Sequence, residues 1–317
     1  MKKESDHSIT ENNEPLVSVV IPCYNHQAFI IDCLESIKQD SYERIEIVLI
    51  DDGSVDESYN LAMAWLDANK GCFEAVAYSK QSNQGICKTC NTLIRQSSGE
   101  FIFPLASDDL AGPDGISKTL NYYLTHCNEP TLLFTDLELI DYEGRLFAKS
   151  GSAHTHRDAK LLENNKEYLK LDLLVNWGIP YMQQFYPREL FDLLGGYSEK
   201  LKCEDYYFAL KNIAAGSVAY APVISRQYRL RVASEARTPG LSEEDYRSAN
   251  ARTLVASDFS FYYRMVLWAL DKRDLRNQGL LSTAANYACK VLLKIHVKTI
   301  RYYYKFNSWM IGAKKEA

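Results

Sequence analysis

The chain has 317 residues, with 36 Lys plus Arg against 41 Asp plus Glu, a formal net charge of −5 that argues against a general nucleic-acid binder. Hydrophobic residues make up 46% and charged residues 24%, the balance of a globular protein with a sizeable core and not of a disordered chain. No run approaches the ~18 consecutive apolar residues of a membrane span, and the opening MKKESDHSIT has lysines with no apolar segment behind them, so the expectation is a protein made and kept in the cytoplasm. The length suits two domains, or one large α/β domain with an appendage.

Residues 1–14 are polar and charged and are expected to form a disordered tail. From Pro15 to Asp109 short apolar runs alternate with amphipathic stretches. Val17 to Ile21, Ile45 to Ile50, Phe73 to Ala77 and Phe101 to Leu105 have the length and the β-branched or aromatic content of buried strands. Ile30, Cys33, Leu34 and Ile37 share one helical face, and Asp56 to Lys70 and Ile86 to Ser97 supply two further crossover helices. This alternation implies βαβ units and a parallel, doubly wound sheet, whose ligands sit beyond the carboxyl ends of the strands. Of the eight cysteines only Cys87 and Cys90 are spaced C-x-x-C. Cys90 continues an apolar helical stripe with Ile86, Leu93 and Ile94, which favours buried free thiols over zinc ligands.

The middle of the chain is less regular. A helix is read near Pro113 to His126, a strand at Thr131 to Thr135 and a hairpin turning at Glu143-Gly144. A turn follows at Gly195-Gly196, then a helix from Asp205 to Ala215 and a strand at Val218 to Ala221. After Pro239-Gly240 the pattern is helical to the end. There Lys290, Lys294, Lys298, Arg301 and Lys305 form a basic stripe, with Leu293, Val297, Ile300 and Tyr304 on another face. Such a helix either makes a peripheral contact with an anionic membrane through 290–305 or packs on its own domain with a solvated lysine face.

Three strand ends carry polar or acidic residues that should meet on one sheet edge: Pro22-Cys23-Tyr24-Asn25-His26, Asp51-Asp52-Gly53-Ser54-Val55-Asp56 and Ser107-Asp108-Asp109. Asp56 reads as a helix N-cap. Asp51-Asp52-Gly53 reads as a turn, but adjacent carboxylates directly after a buried strand repel each other unless something binds between them. Asp108-Asp109 repeats the problem one strand across. Such pairs can hold Mg2+ or Mn2+ through one or two oxygens while diphosphate oxygens and water complete the shell. Either pair alone suits a structural role as well as a functional one.

Together, Val17-Ser18-Val19-Val20-Ile21-Pro22-Cys23-Tyr24-Asn25, Asp51-Asp52-Gly53-Ser54, Asn83-Gln84-Gly85 with Asn91, Gly99-Glu100-Phe101 leading to Ser107-Asp108-Asp109, Leu194-Gly195-Gly196-Tyr197 and Glu204-Asp205-Tyr206 make the chain resemble a family 2 glycosyltransferase. The resemblance covers about residues 15 to 235. It implies an α/β protein with the GT-A nucleotide-diphospho-sugar transferase fold, a mostly parallel central sheet flanked by helices. The glycosyltransferase domain would occupy 15–240 and a helical C-terminal extension 241–317. It also implies a nucleotide-sugar donor, most often a UDP-sugar, Mn2+ or Mg2+ as cofactor, and inversion at the anomeric carbon. The acceptor would be a glycan or lipid-linked hydroxyl, in cell-surface polysaccharide synthesis. Carried onto this chain, Pro22 and Tyr24 wall the nucleotide pocket with Asn25 in the same loop. Asp52 bonds the base with Asp51 beside it, and Asn83 and Gly85 lie near the nucleotide. Asp108 faces the ribose or sugar, and Asp109 holds the metal with Asp108. Asp205 is the general base, with Glu204 beside it or on an acceptor hydroxyl.

The physical chemistry agrees with these roles, since a carboxylate within ~3 Å of a sugar hydroxyl can take its proton as the new bond forms. Asp205 also suits a helix N-cap. Two positions depart from the family pattern. Ala106 stands where many relatives have an acidic residue, leaving fewer carboxylates for metal. Arg231 stands where many have histidine; it can clamp a diphosphate through its planar fork or form an ordinary surface ion pair. Between the metal motif and the base, Trp177 and Gln183 suit contact with an acceptor sugar, while the surrounding Asn176 to Phe185 equally suits a core strand. Other readings are a nucleotidyltransferase, which needs a glycine-rich basic loop that Cys23-Tyr24-Asn25-His26-Gln27 is not, and a non-catalytic carbohydrate-binding descendant.

Overall fold

The computed structural model describes residues 14–177, 183–201, 204–230 and 250–274. The expected tail falls almost entirely outside these residues, as does the basic stripe at 290–305. Strands β1 (Val17–Cys23), β2 (Ile45–Asp51), β3 (Ala75–Lys80) and β4 (Phe101–Pro104) alternate with helices α1 (Ile30–Lys38), α2 (Ser58–Asn69) and α3 (Ile86–Gln96). They pair in parallel in the order β3-β2-β1-β4, with Val19 level with Ile47 on one side and Phe103 on the other.

Side-chain parity along these strands builds two cores. Val17, Val19 and Ile21 of β1 and Ile45, Ile47 and Leu49 of β2 face the layer formed by α1, α2 and α4 (Gly115–His126). Val20, Val48 and Ile50 point the other way, onto α3. Period-2 burial on both faces is what a doubly wound sheet requires. Ile30, Cys33, Leu34 and Ile37 of α1 are fully buried, as their spacing predicts, and Cys87 and Cys90 are buried free thiols on the core face of α3. The expectation of a buried third strand needs correction. β3 starts two residues later than read, pairs only with β2 and forms the sheet edge, so its residues are exposed or half-buried.

Beyond β4 the sheet becomes mixed. β8 (Gln184–Pro187) runs antiparallel to both β4 and β6 (Leu132–Ile140). β6 pairs in parallel with β9 (Val218–Arg229), β5 (Leu110–Ala111) closes the far edge, and β7 (Leu146–Ala148) completes the hairpin at Glu143-Gly144. β9 runs eight residues past its expected end because its pairing with β6 slips opposite Pro222-Val223, and a proline cannot donate to the ladder. Between β7 and β9 lie α5 (Gly151–His154), α6 (Ala159–Asn164), α7 (Lys166–Val175), α8 (Arg188–Leu194) and α9 (Glu204–Ala215). Residues 250–255 are helical, and together with α10 (Phe261–Asp274) they place Ala251, Val255, Val266, Leu267 and Leu270 in the same core as α7 and α9. Among the described residues no helix is long and apolar enough to cross a membrane.

Candidate active site at the carboxyl edge of the sheet

The loops after β1 and β2 are laced together. Asn25, at φ 54°, donates its N–H to Ser54 Oγ at 2.9 Å and accepts the Val55 N–H on Oδ1 at 2.9 Å. His26 N–H bonds Ser58 Oγ at 2.8 Å, Gln27 N–H bonds Asp56 Oδ2 at 3.1 Å, and Glu57 N–H returns to Gln27 Oε1 at 3.0 Å. Asn25 therefore shapes the loop through its side-chain oxygen. Asp56 receives the Ser58 N–H two residues ahead of it, just upstream of the helix, instead of occupying the N-cap. This frame leaves Tyr24 47% exposed beside the half-buried Pro22.

The Asp51-Asp52 pair is taken up by the protein itself. Asp51 is fully buried; Oδ1 accepts the Ser54 N–H at 2.9 Å and lies 3.7 Å from Lys80 Nζ, while Oδ2 has no donor. Asp52 accepts Gln81 Nε2 and Gln84 N–H on Oδ1, both at 2.8 Å, and Gly85 N–H on Oδ2 at 2.9 Å. A carboxylate has about four acceptor positions, so one remains for a ligand donor such as a base N–H. The turn depends on Gly53: at φ 87° its absent Cβ would sit 2.8 Å from the Asn83 backbone nitrogen. Asn83 and Gly85 are exposed on the resulting loop.

The Asp108-Asp109 pair has a different environment. Asp109 is 5% exposed and accepts a hydrogen bond from the Arg229 N–H at 2.9 Å. Burial first, and then the neighbouring Asp108 charge, push its carboxyl up to about 8, against the opposing pull of Arg226 and Arg229. Asp108 is partly exposed, with Oδ2 at 3.8 Å from His26 Nε2; His26 Nδ1 lies 2.7 Å from Ser107 Oγ. Arg229 braces the loop from beneath: Nε donates to Asp108 O at 2.8 Å and Nη1 to Tyr142 O at 2.7 Å, with the guanidinium over the Phe29 ring. The β6–β7 hairpin, α1 and the acidic loop thus meet on one arginine.

Arg226 links this loop to α9. It is buried, stacked 3.8 Å over Phe103, and donates to Pro104 O at 2.7 and 3.0 Å and to Gln184 O at 2.9 Å. Desolvation lowers its pKa to about 9, opposed first by the Asp109 charge. Gln184 in turn donates Nε2 to Asp205 O at 3.0 Å. Asp205 lies in the first turn of α9 and accepts the Tyr206 N–H on Oδ1, so it is not the N-cap that the sequence allowed. Glu204 opens α9, but its side chain lies outside the described set, and so does Arg231. Trp177 packs on Tyr206 at 4.7 Å and edge-on to Phe134 at 6.3 Å, half-buried against the core. Gln183 is 4% exposed directly ahead of β8, and of the stretch Asn176 to Phe185 only Gln184 and Phe185 lie in a buried strand among the described residues.

Asn91 and the Gly195-Gly196-Tyr197 turn prove to be one joint. Asn91 Oδ1 accepts the Tyr197 N–H at 3.0 Å and Nδ2 donates to Tyr197 O at 2.9 Å. A Cβ on Gly196 would meet Phe191 at 2.6 Å and Asn91 Oδ1 at 3.0 Å. These motif residues hold α3 against the segment leading to α9. Arg226, Arg229 and His26 carry most of the remaining connections, and the sequence reading gave none of them a role. The available signal was two arginines within the strand run Ile224 to Leu230, where a charge buried on a sheet needs a dedicated partner.

Among the described residues no group of three or more His, Cys, Asp or Glu side chains gathers to hold a metal ion. Protein ligands among the described residues do not complete a shell on their own. The partly exposed Asp108 carboxylate with the under-bonded Asp109 behind it fits a divalent cation that draws its other ligands from a diphosphate and water.

The family model described as Glycosyl transferase family 2 matches residues 18–171. An uncharacterized glycosyltransferase of Rickettsia typhi is 26% identical over 235 residues, covering 74% of this chain and 70% of that protein. Chondroitin synthase of Escherichia coli is 32% identical over 147 residues, 46% of this chain and only 21% of that protein. Among solved structures, the mannosyltransferase PcManGT of Pyrobaculum calidifontis, in complex with GDP-Man and Mn2+, aligns with TM-score 0.61 at 17% identity over 99% of this chain and 90% of its own. TarS of S. aureus, residues 1–349, aligns with TM-score 0.59 at 18% identity over 82% and 71%; the same protein is also seen with UDP-GlcNAc.

Proposed function

We propose that this chain, a family 2 glycosyltransferase with the GT-A fold, moves a sugar from a nucleoside diphosphate donor, UDP-linked in our reading, to a hydroxyl of a glycan or glycolipid with inversion at the anomeric carbon. The observation that carries the site is the buried Arg226 clasp, which ties the strand leading to Asp108-Asp109 to Gln184 and through it to Asp205. Tyr24, Asp52 and the Asn83–Gly85 loop form the nucleotide end, and Asp108 and Asp109 hold the divalent cation. A cation held by these two carboxylates would offset the charge that builds on the departing diphosphate. Asp205 takes the proton from the acceptor hydroxyl as it attacks from the face opposite the diphosphate, and one displacement of that kind inverts the centre. Neighbours that bind UDP-GlcNAc or GDP-Man support a nucleotide-sugar donor.

The test is a panel of nucleotide sugars with Mn2+, following nucleoside diphosphate release and thermal shift. Asp205→Asn should lower kcat by about 10²–10⁴ while the donor still raises the melting temperature. A chain that neither binds nor consumes any nucleotide sugar, or that releases pyrophosphate from a nucleoside triphosphate, refutes the reading.

A further inference from the structure

We propose that His26 joins Asp108 as a protein ligand of the divalent cation, its Nε2 supplying a donor at the site where Ala106 has none to offer. The proposal rests on the glycosyltransferase reading above. His26 is fixed from both directions: its N–H is held by Ser58 Oγ at 2.8 Å, and its ring lies edge-on to Phe29 at 6.1 Å. Nε2 lies 3.8 Å from Asp108 Oδ2, and both side chains are partly exposed, at 22% and 13%, so each is reached from the carboxyl edge. Neighbouring ligands of a six-coordinate cation with bonds of about 2.1 Å lie about 3 Å apart. The pair therefore needs under ~1 Å of closure, within the reach of a small side-chain rotation, to share one ion.

Ser107 supplies the rest of the arrangement. A metal-bound imidazole gives its other N–H to a neighbouring acceptor, which fixes the tautomer and the ring plane. Here the Nδ1 side is occupied by Ser107 Oγ at 2.7 Å, on a residue that is itself fully buried. With Nδ1–H donated to that oxygen, the Nε2 lone pair points toward the Asp108 carboxylate. An imidazole added to the Asp108 and Asp109 carboxylates makes a softer donor set than carboxylates alone, which shifts preference from Mg2+ toward Mn2+.

The experiment is Mn2+ titration of the full chain with UDP as the probe, reading free Mn2+ by EPR and directly bonded nitrogen by pulsed EPR on protein made with 15N-histidine. The expected result is a 15N coupling in the native protein that disappears in His26→Gln, with Mn2+ affinity lowered on the order of 100-fold. Ser107→Ala keeps the coupling and loses about 10-fold. His126→Gln, on the exposed end of α4, changes neither. UDP and Mn2+ that bind the native protein with no 15N coupling, or with unchanged affinity in His26→Gln, overturn the assignment and leave the donor reading intact. Failure of UDP to bind with or without Mn2+ overturns both. Should His26→Gln not fold, the 15N signal of the native protein decides alone.

Discussion

Asp51-Asp52 and Asp108-Asp109 both follow buried parallel strands, and both place two like charges on consecutive residues, yet their surroundings differ in kind. The first pair draws four hydrogen-bond donors from its own fold, Ser54 at Asp51 and Gln81, Gln84 and Gly85 at Asp52, with Lys80 Nζ 3.7 Å from Asp51. In the second, the buried Asp109 accepts one backbone N–H, and His26 Nε2 stands 3.8 Å from Oδ2 of the partly exposed Asp108. Two buried arginines stand nearby, but their side chains donate to carbonyl and hydroxyl oxygens and not to the carboxylates. The sequence alone makes the two pairs look equivalent. Their hydrogen bonds separate a pair whose Asp52 holds the loop at Gln84 and Gly85 from a pair whose Asp109 takes one backbone donor, the pair that our proposal gives to a cation.

The largest effect that could break this comparison is on turnover. Asp108→Ala should lower kcat by at least about 10², with the unfolding midpoint little changed, because it removes a partly exposed carboxylate. Should Asp108→Ala instead melt the protein while activity per folded molecule survives, the second pair is structural and the comparison reverses. Next comes a pH effect at Asp109. Its folded pKa, raised to about 8 by burial, lies above the unfolded value of about 3.9. Below about pH 4 both states are protonated and burial costs nothing electrostatic. Between about 4 and 8 the unfolded state has released a proton that the folded state keeps, so stability falls as pH rises and then levels off. In EDTA, Asp109→Asn should remove that decline, gaining a few kcal/mol over the native protein by pH 8. Parallel stability curves for the two proteins across this range would contradict it.

Asp52→Ala has a smaller effect and a different signature. It strips acceptors from the Gln84 and Gly85 amides and from Gln81 Nε2. The loss should be about 1–3 kcal/mol of stability in a denaturant titration, with weaker donor binding because Asn83 and Gly85 lose their anchor. A variant as stable as the native protein would show that the loop holds its shape without Asp52.

The β1 to β4 half was legible because β1, β2 and β4 are buried on both faces, so their patterns are continuous and the helices follow at regular intervals. The three acidic or polar strand ends could be placed on one edge from that pattern alone. β8 was left as an alternative because Gln183 and Gln184 open it, and their burial depends on Asp205, Thr135 and Arg226, all remote in sequence. The end of β9 was missed because Pro222 signals a stop that a bulge overrides. Arg226 and Arg229 could not be assigned a role, since Arg226 bonds Gln184 and Pro104, 42 and 122 positions away, and Arg229 bonds Tyr142 and Asp108, 87 and 121 positions away. The difference between the two aspartate pairs lies in such long-range donors, and spacing along the chain does not record them.

The smallest prediction sharpens the first half of the comparison. Lys80 Nζ donates to Ser54 O at 2.9 Å, lies 3.7 Å from the fully buried Asp51 and sits over the Tyr59 ring at 5.6 Å. Its side chain is 42% exposed, so water screens the charge it presents to Asp51. Pairs of that kind contribute about 0–1 kcal/mol. Lys80→Met keeps the stem and removes the charge, and it should cost no more than that in chemical denaturation while donor affinity stays within about twofold. If it costs several kcal/mol, Asp51 depends on a cation supplied by the edge strand. The first pair would then also be charge-compensated, with a lysine doing there what the proposed metal ion would do at Asp108-Asp109.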